Sequence, residues 1–179
     1  KRIRVVSGQG GTYALLTGDN LLFGPGKTGT LGFVESNQSD QLASFKGNHM
    51  IVTPAMSYLQ SDTDLSALDR QRYLKLARER RTLKKRHEQL EEALKKTKDG
   101  SGRAQLLQEA AQLGQQLDQV QAGMQKCFAW RVASTQPLSM VLAGQTLITG
   151  GHNEVAAYHA KDGRLLWQGK ADGEVFGLA

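Results

Sequence analysis

Two rhythms of hydrophobic and polar positions divide the chain. Up to about residue 69, and again from about 127, short apolar runs alternate with corners of Gly, Asn, Asp and Thr. Between Asp69 and Gln125 leucines recur at three- and four-residue steps among Lys, Arg, Glu, Gln and Ala, and no proline intervenes. Short runs bounded by turn residues mark strands, whereas the longer period marks helices. The pattern therefore predicts a mainly β chain carrying an α insertion.

The flanks repeat. Leu15-Leu16-Thr17-Gly18-Asp19-Asn20-Leu21-Leu22-Phe23-Gly24 and Val141-Leu142-Ala143-Gly144-Gln145-Thr146-Leu147-Ile148-Thr149-Gly150 share one plan of strand, glycine-led corner and strand. Such corners are hairpin chemistry, because glycine tolerates the positive φ of a tight turn. Three groups of four strands follow: about 12–17, 20–24, 30–35 and 41–46; then 49–54, 56–60, 64–69 and 127–133; then 138–143, 145–149, 153–159 and 164–169. Residues 174–179 read as the start of a further strand. The third and fourth strands of the middle group are separated by the insertion.

Within the insertion, one helix is predicted from about Asp69 to Lys96 and another from Gly102 to Lys126. Tyr73, Leu76, Leu83, Leu90 and Leu94 trace a heptad seam that Arg80 and His87 interrupt. Leu106, Ala110, Leu113, Leu117, Val120 and Met124 trace a cleaner one. Two seams joined by Thr97-Lys98-Asp99-Gly100-Ser101-Gly102 predict an antiparallel coiled-coil hairpin, roughly 35–40 Å long at about 1.5 Å per residue. Arg80 and His87 admit two readings. Either their stems run past the small Ala110 side of the partner helix, or this stripe meets a third element such as another copy of the chain.

A more specific pattern stands in Ala157-Tyr158-His159-Ala160-Lys161-Asp162-Gly163-Arg164-Leu165-Leu166-Trp167. It resembles the tryptophan-docking motif of the PQQ-like β-propeller repeat, found in quinoprotein alcohol dehydrogenases and in an outer-membrane assembly lipoprotein. Ala157, Gly163 and Trp167 fit that pattern, while His159 replaces its acidic residue and Asp162 stands where threonine is usual. A split copy follows the same resemblance: Ala67-Leu68-Asp69 supplies the first half, and Cys127-Phe128-Ala129-Trp130 the strand bearing tryptophan. Ala67, Asp69, Trp130, Ala157, Gly163 and Trp167 are thus the implied docking residues between blades. The first group, Leu31 to Val34 and Gln41 to Phe45, lacks a tryptophan. With the insertion removed, anchors near Gly32, Ala67 and Ala157 recur every thirty-odd residues, a little short of the roughly 40 of a four-stranded blade. The resemblance implies a partial propeller of about three blades, 1–69 with 127–179, interrupted by a hairpin at 70–126. It slightly favours an extracytoplasmic, periplasmic home. Propellers close with at least about four blades, so the expectation is a fragment of a larger polypeptide or an assembly of copies.

Charge sharpens the picture of the insertion only. The formal net charge of +6 arises between Arg70 and Lys98, where twelve Lys or Arg face four glutamates. A solvated helix face explains most such runs. Arg72, Arg80, Lys84 and His87 form a candidate interaction face for an acidic protein partner, with nucleic acid or anionic membrane as the alternative. Cys127 is the only cysteine, which excludes an intrachain disulfide and any CxxC metal site. No apolar run has the length of a membrane-spanning helix.

Catalytic patterns are weak. Gly24-Pro25-Gly26-Lys27-Thr28 lacks the earlier glycine of a phosphate loop, for Leu21 stands there, and a strand rather than a helix follows. His49, His87, His152 and His159 have no metal-cage spacing. Quinoproteins hold PQQ and calcium on the propeller axis with residues, including a catalytic aspartate, that have no match here. No catalytic, cofactor or metal residue is therefore assigned. The expectation is a non-catalytic binding or scaffold module. The competing reading is a piece of a PQQ-dependent redox enzyme, whose complete chain would bind PQQ and calcium.

Overall fold

The computed structural model describes residues 14–17, 20–25, 29–35, 41–97 and 100–178. Among these residues twelve strands form three four-stranded antiparallel meanders. The first holds β1 (Ala14–Thr17), β2 (Asn20–Phe23), β3 (Thr30–Glu35) and β4 (Gln41–Lys46). The second holds β5 (His49–Val52), β6 (Met56–Gln60), β7 (Asp64–Asp69) and β8 (Phe128–Ala133). The third holds β9 (Ser139–Ala143), β10 (Thr146–Gly150), β11 (His152–His159) and β12 (Leu165–Glu174). Two helices, α1 (Arg70–Lys96) and α2 (Ser101–Gln125), interrupt the second sheet between β7 and β8. The chain separates into two compact units, Lys1–Arg70 with Phe128–Ala179, and Gln71–Cys127.

The three sheets share an irregularity as well as a plan. All three share a register shift at the same place in their third and fourth strands, after Phe33↔Ala43, after Ala67↔Trp130 and after Ala157↔Trp167, and the third sheet adds a second between His152 and Glu154. Each also releases the chain through the same backbone bond. The residue leaving the fourth strand donates its N–H to a carbonyl in the loop between the second and third strands of its own sheet. These bonds are Gly47 to Gly29 (2.9 Å), Ser134 to Thr63 (3.0 Å) and Val175 to Gly151 (3.1 Å). A repeat in local pattern has thus become a repeat in backbone hydrogen bonding, which accounts for polar groups that each crossing would otherwise leave unpaired.

Two expectations are revised. The first-sheet equivalent of Ala67 and Ala157 is Phe33, not Gly32, because the register shift follows Phe33. Gly32 has a different duty: a Cβ there would lie 2.1 Å from Phe23 Cζ, so the Phe23 ring occupies the side-chain space. The segment expected to start a new strand at 174 does not do so. Instead β12 continues beside β11 as far as His152↔Glu174, and residues 175–178 form no strand. Pairing decides this, since a strand needs a neighbour to take its ladder bonds.

Apolar faces meet between sheets. Tyr58, Leu65 and Ala67 of the second sheet share one buried cluster with Leu147, Ala156 and Tyr158 of the third. Phe45 of β4 meets Phe128 of β8 edge-on at 6.2 Å, and Phe33 at 5.7 Å, the geometry favoured by the ring quadrupoles. In α2 burial follows the sequence seam: Leu113, Val120 and Met124 are buried and Leu106, Ala110 and Leu117 half-buried. In α1 the seam residues Tyr73, Leu76, Leu83, Leu90 and Leu94 are half-buried, and the buried positions are Leu74 and Ala77, which the seam did not include. The helices run antiparallel. Leu76 lies against Gly123, Arg80 bonds Gln121, and Leu94 bonds Arg103.

Arg103 closes the far end of the hairpin. Its Nη1 donates to the carbonyls of Leu94 (2.9 Å) and Thr97 (2.8 Å), acceptors that a helix end leaves without internal partners. A cation at this C-terminus also complements the helix dipole. Arg103→Leu should therefore cost about 1–2 kcal/mol and fray the last turn of α1. Amide exchange at Thr97, whose N–H is held by the Ala93 carbonyl at 3.0 Å, is the readout, and unchanged protection would count against the clamp.

Candidate interaction sites

The most specific contact between sheets is made by Trp130. It projects from β8, opposite the fully buried Ala67, and its ring reaches the turn joining β11 to β12. Its Nε1 donates to the Ala160 carbonyl at 3.0 Å. The ring covers Gly163, where a Cβ would lie 2.6 Å from Trp130 Cε3, and Gly163 itself has φ +71°. Glycine answers both demands, a left-handed backbone and a flat surface for an indole. Tyr58 flanks the ring at 6.2 Å.

The two departures from the family pattern are partners of one another. His159 Nδ1 lies 3.0 Å from Asp162 Oδ1, which also accepts the Arg164 N–H at 3.0 Å. That backbone bond, followed by His159, holds the Asp162 carboxyl below the ordinary aspartate range. The turn under Trp130 is thereby braced by side chains as well as by the Gly163 N–H bond to the His159 carbonyl.

Trp167 occupies the matching place in β12, opposite Ala157, yet it is 50% exposed, with Leu165 at 47% and Leu166 at 41% beside it. Ala67 and Trp130 are thus brought together with Gly163 and Ala160, whereas Trp167 has no such turn above it among the described residues. Asp69 ends β7 opposite Met56.

A polar network lies between the second and third sheets beside a groove of about 570 Å³ lined in part by Ser134, Thr135, Gln136, Tyr158 and Gln168. Gln136 is 2% exposed. Its oxygen accepts from Ser134 Oγ and Tyr158 Oη, and its nitrogen donates to Thr135 Oγ1 and Glu154 Oε1. All four hydrogen-bonding capacities of the amide are used. Hydrogen bonds from Thr135, then Gln136 and Gln168, hold the Glu154 carboxyl below the usual glutamate range. A carboxylate so stabilised is a poor base, and the network ties the crossing between sheets rather than presenting a reactive group. Buried Gln60 continues it, donating through Nε2 to the Gln136 and Ser139 carbonyls.

Arg70, read in sequence only as one of many cations, is buried and held by four acceptors. It is 6% exposed. Nη1 donates to Met56 O (2.8 Å) and Ser57 Oγ (3.2 Å), and Nη2 to Thr53 O (2.8 Å) and Pro54 O (2.9 Å). Burial lowers its pKa, but arginine starts so high that the guanidinium stays charged. The fork grips the β5–β6 turn from the point where β7 ends and α1 begins.

The residues of the candidate face on α1 lie on one side of the helix and have individual surroundings. Arg80 extends to Gln121 Oε1 at 3.1 Å, a side-chain bond between the helices made from an exposed position. His87 lies 3.6 Å from Glu91, and Lys84 3.7 Å from Glu88. Arg72 is exposed near the start of the helix. His152 pairs with Glu174 at 3.3 Å, and burial lowers the pKa of His49. Among the described residues no three His, Cys, Asp or Glu side chains converge as a metal site. Of the phosphate-loop-like stretch, Gly26, Lys27 and Thr28 lie outside the described residues, and β3 follows it. No helix is long and apolar enough to cross a membrane. Compared with family models and with curated proteins, the chain matches none.

Proposed function

We propose that this chain is a non-catalytic binding module: a β platform of consecutive PQQ-like propeller blades, bearing a coiled-coil arm for a protein partner or for self-association. The observation that carries the reading is the place of the insertion. β7 and β8 pair from Asp64↔Ala133 to Leu68↔Phe128, although a separate compact unit, Gln71–Cys127, is threaded between them. A sheet that keeps its ladder across so large an interruption does not need the interruption for its own pairing. The inserted unit then has its own purpose. The blade reading draws support from the recurring register shift and from the Trp130 seat. Fold alone sets no activity, and the side-chain networks described above are closed structural ones.

Deleting residues 72–125 and rejoining the ends through a short glycine-rich linker tests the proposal. Far-UV circular dichroism should retain the strand signal, and the melting temperature should move by no more than a few degrees. Light scattering then separates the two uses of the arm: a dimer that becomes monomeric on deletion assigns self-association, and a monomer throughout assigns a foreign partner. Collapse of the β fold on deletion would sink the appendage reading.

A further inference from the structure

Charge is distributed along α1 against the preference of the helix itself. Between Arg72 and Arg86 it carries eight Lys or Arg and a single acid, Glu79. From His87 to Lys96, by contrast, Glu88, Glu91 and Glu92 outnumber Lys95 and Lys96. The cationic stretch covers about 22 Å at 1.5 Å per residue. It occupies the N-terminal half, where the helix dipole already supplies positive potential and acids are favoured. The first turn has no acid.

The partner helix does little to offset this. The stretch of α2 that runs beside the cationic half, from about Leu113 to Gln125 with Leu76 against Gly123 and Leu94 against Arg103, carries one acid, Asp118. Arg80 finds there a neutral amide. Charge-paired helical hairpins set Glu or Asp opposite such a run, whereas this one sets five glutamines and a single aspartate against eight cations. Sequences break local rules of this kind chiefly where function repays them.

We infer that α1 between Arg72 and Arg86 is the seat for an acidic protein segment whose carboxylates are spread along the helix. This rests on the arm reading above and gives the partner its chemistry. Other polyanions fit less well. Single-stranded nucleic acid calls for exposed aromatic rings on which bases stack, and the one aromatic of α1, Tyr73, is half-buried with its hydroxyl pKa raised by burial. A bilayer calls for an exposed apolar face beside the cations, but Leu76 and Leu83 are drawn inward and the exposed positions from 72 to 86 are Arg, Lys, Glu and Thr. The DNA major groove accepts a single helix, and α2 lies along α1.

The test uses the full chain and three probes: a labelled glutamate-rich peptide of about 20 residues, enough to run the length of the seat, a short DNA duplex, and phosphatidylserine vesicles. The peptide should bind with an affinity that falls as salt rises. Lys75→Glu with Lys85→Glu and Arg86→Glu should weaken it about tenfold or more, while Lys95→Glu with Lys96→Glu should change it less than about twofold. Helicity by circular dichroism checks that each variant is folded. Equal peptide binding by the two variants overturns the inference, as does tighter binding of duplex or vesicles than of peptide at moderate salt. Failure to bind any probe overturns it too, leaving the arm reading to the deletion experiment.

Discussion

Arg70→Ala should destabilise the β unit by about 3 kcal/mol, because the change removes four hydrogen bonds from a buried charged donor at once. The acceptors are Thr53 O, Pro54 O, Met56 O and Ser57 Oγ, and they bend around the β5–β6 turn toward one point. Met56 O and Thr53 keep a second bond to each other, so the turn does not vanish with the arginine. What is lost is the charge-assisted fork that fixes it, the strongest ordinary class of hydrogen bond. At about 2–4 °C per kcal/mol for a chain of this size, the melting temperature should fall by roughly 10 °C. Arg70→Lys separates charge from geometry. A single ammonium reaches one or two of the four acceptors, so lysine should recover less than half of the loss. Thermal unfolding of the three proteins gives the order Arg, Lys, Ala; an alanine variant within about 1 kcal/mol of the parent would show that water replaces the fork at little cost.

Arg70 also marks where sequence reading stops. Its partners are main-chain carbonyls, which every residue possesses, so no side-chain pattern announces them. The same holds for the Gln136 network, whose bond from Gln60 joins positions 76 residues apart, a separation that periodicity cannot span. Strands and helices were legible because their signals are local: β4 and β6 end at the corners that Gly47 and Ser61-Asp62-Thr63 mark, and in α2 Leu113, Val120 and Met124 bury the seam that their spacing marks. The register shifts were not legible. They are backbone events, and only the pairing revealed that Phe33 and Ala43 occupy the places held elsewhere by Ala67 and Trp130, large and small exchanged. That exchange accounts for the missing tryptophan of the first group, whose ladder carries the same shift. Trp130 lay between these extremes: the motif located the residue, and the structure supplied its acceptor, Ala160 O.

The second large effect belongs to that seat and is best measured as a cycle. Gly163→Ala places a methyl group 2.6 Å from Trp130 Cε3 at a φ of +71°, so it combines steric displacement with left-handed strain and should cost about 3 kcal/mol. Trp130→Ala removes a half-buried indole and its bond to Ala160 and should cost about 3–4 kcal/mol. If the two residues act as one contact, the double variant pays the strain but not the collision, and the coupling should approach 2 kcal/mol. Additive losses would mean that the turn and the ring are independently stabilised. Trp167→Ala is the internal control. The same residue, opposite the same alanine in its sheet, is half exposed, and its removal should cost less than about 1 kcal/mol. The contrast isolates the cause, because composition, strand position and cross-strand partner are shared and only the overlying turn differs. A loss at Trp167 as large as that at Trp130 would require a cover over the third sheet in solution, and its dependence on protein concentration would tell whether a second copy provides it.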